Sequence, residues 1–118
     1  MGSLGTFGSG PGQLDRPGRL IIDQRGNILV DDSGNKRVQV LDKDGLFIGY
    51  LQSELDGPLN FNNVIGIDIR LGRILVVDAG LNKIYIFNQS YTLLEEYDLP
   101  IPLLEASFRF SNSIYGLS

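Results

Sequence analysis

The chain has 118 residues, the length of one ordinary domain, with 42% apolar residues, 15 glycines and 5 prolines; this excludes disordered and collagen-like classes and suits a turn-rich all-β protein. Ten basic against fourteen acidic side chains give a net charge of −4, so no global basic field exists to hold a phosphate backbone. The absence of cysteine excludes disulfides and thiolate metal sites and leans the chain towards a cytoplasmic location, while the absence of histidine removes the commonest general base and the imidazole metal ligand.

Met1-Gly2-Ser3 has neither the charge nor the apolar core of a signal peptide, and no apolar run approaches the roughly 18 residues that span a bilayer. Leu4 to Phe7 predicts a short strand, followed by a Gly/Pro loop to Leu14 that forbids regular structure. Arg19 to Asp23 predicts a buried strand a, Gln24-Arg25-Gly26 a tight hairpin turn, Asn27 to Asp31 strand b, and Arg37 to Asp42 strand c. Between b and c, Asp32-Ser33-Gly34-Asn35 has side chains that bond their own backbone, with Asp32 as a turn cap. Lys43-Asp44-Gly45 turns the chain into an outer strand d, Leu46 to Leu51.

The plan then recurs. Gly72 to Phe87 repeats Gly26 to Leu41 without a gap, with Gly26/Gly72, Ile28/Ile74, Leu29/Leu75, Val30/Val76, Asp32/Asp78 and Gly34/Gly80 identical. It predicts strands at Val64 to Ile69, Arg73 to Val77, Lys83 to Asn88 and Leu93 to Tyr97, after a link in which Asp56-Gly57-Pro58 breaks any strand. Past Pro100 and Pro102, Ala106 to Phe110 and Ser113 to Leu117 read as two further strands. A fixed period in the 40s, built of strands, is the signature of propeller blades, each of which buries its faces only by stacking on a neighbour. The fold class is therefore all-β, a partial β-propeller of two four-stranded blades plus flanking strands. The period divides it into the end of a preceding blade at 1–15, a blade at 16–51, a link at 52–63, a second, degraded blade at 64–99 and the start of a truncated third at 100–118. These strands do not sum to whole blades, so the chain is expected either to depart from a simple ring or to be an excerpt of a longer one. Bare blade faces and strand edges predict self-association.

The motifs resemble NHL repeats: a Pro17-Gly18 lead-in after Arg16, an apolar strand ending at Asp23, Gly26-Asn27-Ile28, Val30-Asp31-Asp32-Ser33, Gly34-Asn35 and Arg37-Val38-Gln39-Val40. Phe7 to Leu14 resembles the segment joining such blades. The departures are Asp31 where a small or apolar residue is usual, Leu81 in place of the turn asparagine, and the swapped order of Asp68-Ile69 relative to Ile22-Asp23. Within that family, Arg37 to Ile48 is most similar to animal tripartite-motif proteins. This resemblance implies a non-catalytic module that recruits protein, or less strongly RNA, for a ubiquitin ligase whose chemistry lies in other domains.

Alternating strand direction puts the b–c turns and the links between blades on one rim. That rim collects Arg16, Arg19, Lys36, Arg37, Asn62, Asn82 and Lys83, the candidate partner-binding set. In some members of the family the resemblance names, this rim binds single-stranded RNA or protein. The competing reading is that Arg37 and Lys83 pair with Asp32 and Asp78 to brace their turns at the strength of a surface ion pair, and no exposed aromatic platform offers itself for stacking bases. Asp23, Asp31, Asp32, Asp68 and Asp78 could ring an axial cation in a propeller lactonase or lyase, the alternative function, whose active site would then sit in other blades. Asp42-Lys43-Asp44-Gly45 fails the calcium-loop pattern at Leu46, Phe47 and Ser53, and the glycines at 8, 10 and 12 precede no strand-to-helix phosphate loop. Asn88-Gln89-Ser90 is a formal glycosylation sequon, read as a chance match. No cofactor and no membrane contact are expected.

Overall fold

The computed structural model describes residues 6–99; Leu4 and the strands expected at 106–110 and 113–117 lie outside the described residues. The elements are β1 (Thr6–Phe7), β2 (Gln13–Leu14), β3 (Pro17–Ile22), β4 (Ile28–Asp32), a single 3-10 turn at Ser33–Asn35, β5 (Arg37–Leu41), β6 (Phe47–Tyr50), β7 (Gln52–Ser53), β8 (Gly57–Pro58), β9 (Val64–Arg70), β10 (Arg73–Asp78), β11 (Lys83–Phe87) and β12 (Leu93–Asp98). They build two four-stranded antiparallel meanders, β3-β4-β5-β6 and β9-β10-β11-β12, whose first strands β3 and β9 lie against each other. The chain is an all-β partial propeller with two four-stranded blades, as its repeat predicts.

Turn chemistry explains why the repeat is so regular. Gly26 and Gly72 take φ of 86° and 76° in the first hairpin of each blade, a conformation costly to a residue with a Cβ. At the second turn, Lys36 and Asn82 adopt matching φ values of 57° and 56°. The third turn is left-handed at Gly45 and Tyr91 alike. The backbone thus repeats at an interval of 46 residues even where the side chains do not.

The segments expected to be irregular contain short pairings. Gln13–Leu14 lies parallel to Thr6–Phe7 instead of trailing as a loop: the loop between them, with Gly12 at φ 81° and the Gln13 N–H donating to the Gly10 carbonyl at 3.0 Å, carries the chain round to run beside β1 in the same direction. Gly57–Pro58, taken from the sequence as a strand breaker, pairs with Gln52–Ser53, a two-residue ladder too short for the missing proline N–H to interrupt.

The core lies between the two sheets. Alternation sends Leu29, Val38 and Val40 of the first sheet and Ile74, Val76, Tyr85 and Phe87 of the second into one cluster, joined by Leu51 and Phe61 from the link. Phe61 meets Tyr85 edge-on, centroids 5.2 Å apart. Each such side chain contributes about 1.5–3 kcal/mol when fully buried. On the first sheet's opposite face, Leu14 of β2 closes a smaller cluster over Ile28, Val30 and Leu41.

Candidate partner-binding rim

The β4–β5 and β10–β11 turns and the links that precede each blade are tied edge to edge by backbone contacts. The Gly34 N–H donates to the Asp15 carbonyl at 2.7 Å, and the Phe61 N–H to the Lys36 carbonyl at 2.8 Å. The Leu99 N–H donates to the Asn82 carbonyl at 3.0 Å. The rim anticipated from strand direction is therefore one connected edge.

Two buried aspartates hold that edge in different ways. Asp78 accepts backbone N–H bonds from Asn62, Asn63, Gly80 and Leu81 at 2.7–3.2 Å. Asp32 accepts one backbone N–H, from Asp15 at 2.7 Å, and otherwise side chains: Asn35, Arg37 at 2.7 Å and Gln39 at 3.1 Å. Burial alone would raise the Asp32 carboxyl, but the bonds from Asp15, Asn35, Arg37 and Gln39 outweigh it and hold the group below its ordinary value. Asp31, one residue earlier, goes the other way: burial pushes it up, and its bond from the Ser33 hydroxyl at 3.0 Å and the Arg19 backbone only partly offset that.

The seven predicted rim residues divide accordingly. Arg16, Arg19 and Lys36 are exposed; Arg16 lies 3.5 Å from Asp15 in a solvated pair, and both Arg16 and Lys36 are held at positive φ. Asn62 is exposed beside them, its backbone fixed by Asp78. Asn82 donates its side-chain amide to the Leu99 carbonyl at 2.6 Å. Arg37 pairs with Asp32 and also donates to the carbonyls of Ser9, Gly10 and Gln13, its guanidinium 5.1 Å from the Tyr50 ring centroid. That pair is 13% and 0% exposed, so Arg37 is a buried strut tying the preceding link to the blade and not a surface brace. Lys83 does not pair with Asp78 as anticipated. It reaches across to β12, 2.9 Å from Glu96 and 3.0 Å from Asp98, because Asp78 already has its donors from the backbone. Those two carboxylates raise the Lys83 ammonium above its ordinary range.

The aspartates imagined around an axial cation are scattered: Asp32 and Asp78 serve the rim, Asp31 bonds Ser33, Asp68 accepts the Ile69 N–H, and Asp23 lies at the opposite rim. Among the described residues no group of three or more carboxylates could hold a metal ion.

At that opposite rim the sequence reading missed a latch between the blades. The β3–β4 turn of the first blade presents Asp23, Arg25 and Asn27 to Tyr91 in the β11–β12 turn of the second. The Tyr91 hydroxyl donates to Asp23 at 2.5 Å and accepts from the Asn27 amide at 2.8 Å. Arg25 stacks 5.0 Å from the ring centroid and donates to the Gln89 carbonyl. Burial raises the Tyr91 phenol. The available signal was a bulky Tyr91 at a turn position where the first repeat has Gly45.

Comparison with known proteins places this architecture. Residues 13–114 match the DUF5128 family, described as a 6-bladed beta-propeller. Protein lin-41 of Caenorhabditis elegans is 46% identical over 46 residues, 39% of this chain and 4% of that protein. A putative exported protein from Bacteroides fragilis NCTC 9343 superposes with a TM-score of 0.64 at 22% identity, over 83% of this chain and 28% of that one. The chain thus spans a small part of both relatives. With its paired four-stranded blades and its NHL-type repeat, the chain belongs to the 6-bladed beta-propeller family and is an NHL-like propeller fragment.

Proposed function

We propose that this chain is part of a non-catalytic recruiting propeller that takes an acidic protein segment on the rim formed by Arg16, Arg19, Lys36 and Asn62. In this reading it serves a larger protein of the tripartite-motif kind, with any ligase chemistry carried by other domains. The supporting observation is the division of labour at the rim: Arg37, Lys83 and Asn82 are spent on the scaffold, whereas three cations stay exposed on an acidic chain, on backbone that buried aspartates fix. Rigid presentation lowers the ordering cost of binding, and exposed cations govern encounter rate and salt dependence. The half-buried Tyr50 already has the Arg37 guanidinium against its ring and is not free to stack a base.

The test is a binding titration with a poly-glutamate peptide and, in parallel, single-stranded poly-uridine RNA, on the 118-residue chain and on Arg16→Glu/Arg19→Glu/Lys36→Glu. The peptide is expected to bind in a salt-dependent manner and to lose at least about tenfold in affinity to the variant. Tighter binding of the RNA would replace the protein partner with a nucleic acid. Equal peptide binding by the variant would remove the rim from the reading altogether.

A further inference from the structure

The face of the second sheet that is turned away from the first blade is buried unevenly. Alternation along β10 and β11 sends Ile74, Val76, Tyr85 and Phe87 towards the first blade, so Leu75, Val77, Ile84 and Ile86 point the other way. Among the described residues no second sheet lies against that outer face. Leu75 and Ile84 are nonetheless only 6% and 3% exposed. The first sheet's outer face reaches comparable depth where Leu14 of β2 closes over Ile28, Val30 and Leu41, so the burial of Leu75 and Ile84 calls for a cover of the same kind.

The repeat says how wide that cover is. Leu29, Val40 and Leu51 of the first blade, all fully buried in the core between the blades, recur 46 residues later as Leu75, Ile86 and Tyr97. Burial at the second set falls off outwards: Leu75 on β10 is buried, Ile86 on β11 is half-buried and Tyr97 on β12 is 48% exposed. The cover therefore sits towards β9 and is narrower than a four-stranded sheet. Between Leu71, Leu75 and Ile86 an open groove of about 410 Å³ has room for aromatic side chains.

The path of the chain leads to this face. The Leu99 N–H donates to the Asn82 carbonyl at 3.0 Å, just as the Phe61 N–H donates to the carbonyl of Lys36, the equivalent residue one repeat earlier, at 2.8 Å. From Phe61 the chain enters β9 at Val64 and runs across the face that the first blade offers. Leu99 leaves the second blade from the corresponding point. Beyond it, Ala106, Phe108 and Phe110 alternate with Ser107 and Arg109, and Ile114 follows the turn residues Ser111-Asn112-Ser113. That is the sequence of two short strands with one apolar side, the width that the fall in burial requires.

We infer that residues 101–117 of this chain occupy the outer face of the second blade as the first two strands of a further blade. Phe108 and Phe110 pack on Leu75 and Ile86, the link at 101–104 covers Ile84 beside Asn82, and Tyr97 is left outside the contact.

Hydrogen exchange read by mass spectrometry on the full 118-residue chain tests this first. Amides of 106–110 and 113–117 are expected to exchange at least about a hundredfold more slowly than in a free peptide of the same sequence. Urea unfolding of Leu75→Ala, Phe110→Ala and the double variant tests the contact itself. Each single variant should raise the unfolding constant at least about tenfold, and the double variant should fall short of the product of the two by at least about twofold. The shortfall should be unchanged on dilution, as for a contact within one chain. Exchange of the segment at the free-peptide rate overturns the inference, and being measured on the wild type it does not depend on any variant folding. Additive effects of Leu75→Ala and Phe110→Ala overturn it too, since the segment would then pack elsewhere. A shortfall that disappears on dilution replaces the chain's own segment with a second copy.

Discussion

Replacing Arg37 by methionine is the perturbation that separates a buried strut from a surface brace. The side chain holds Asp32 through Nε at 2.7 Å and three carbonyls of the preceding link, Ser9 and Gly10 at 2.9 Å and Gln13 at 3.1 Å. Methionine keeps much of the apolar stem and removes every donor. Loss of one partner from a buried ion pair costs about 3–5 kcal/mol when the remaining charge is stranded. Asp32 retains donors from Asp15, Asn35 and Gln39, so the lower end applies, about 3 kcal/mol. For a domain of this size that corresponds to a fall in Tm of roughly 12–20 °C. Urea unfolding followed by circular dichroism, at one fixed protein concentration, measures it directly. Asp32→Asn on the same background should be markedly less costly than on the wild type, because both substitutions break one network. Lys83→Met, which removes two ion pairs on the exposed β12 edge, should leave the midpoint nearly in place. A cost below about 1 kcal/mol for Arg37→Met would put the pair in the surface class and refute the strut.

Two further outcomes follow from the same rim and from the latch. Asp31 is raised in the folded state, so its protonated form favours the fold; stability contributed by that proton is present below the unfolded value and lost as pH rises through the folded one. Asp32 is lowered, so its contribution is present above its unfolded value and lost as pH falls through the folded one. On these two groups alone, stability is therefore greatest around the ordinary aspartate value, between the folded titrations of Asp32 and Asp31. Asp31→Asn should flatten the alkaline side of a stability-versus-pH curve and be stabilising at pH 7; a curve unchanged above its maximum contradicts the assignment. Tyr91→Phe removes a donor from Asp23 and an acceptor from Asn27 and should cost about 1–2 kcal/mol in urea unfolding while the ring still stacks under Arg25; an unchanged midpoint would show that the latch carries no stability.

The strands were legible because their signals are local. Alternation and turn residues locate all eight blade strands within about two residues of the observed ends, and the period of 46 assigns their order. Strand direction also predicts which turns share a rim, and backbone bonds join the β4–β5 turn to the links on either side of the first blade. What sequence could not supply was the partner of each polar side chain. Arg37 and Lys83 occupy equivalent positions and read alike, yet one faces Asp32 in the interior and the other faces β12. The difference arises because Asp78 is satisfied by main-chain donors from a link of another shape, a fact set by tertiary geometry. Asp31, a departure from the repeat pattern, is paired with Ser33 at a site tight enough that a Cβ on Gly18 would come within 2.7 Å of its carboxylate. The latch escaped notice because Asp23 and Tyr91 are 68 residues apart and belong to different repeats.

The contrast between the two buried aspartates bears on how this scaffold tolerates change. Every non-proline amino acid supplies the main-chain N–H that Asp78 uses at positions 62, 63, 80 and 81, so identity matters little to the anchoring. Asn62, Asn63 and Leu81 are exposed on that frame, and only Gly80 is confined, since a Cβ there would meet the Asn62 side chain at 1.8 Å. Asp32, by contrast, commits Asn35, Arg37 and Gln39 to fixed identities. The second blade's edge is thus the one that can be diversified, by natural drift or in a library, while the first blade's edge keeps its letters.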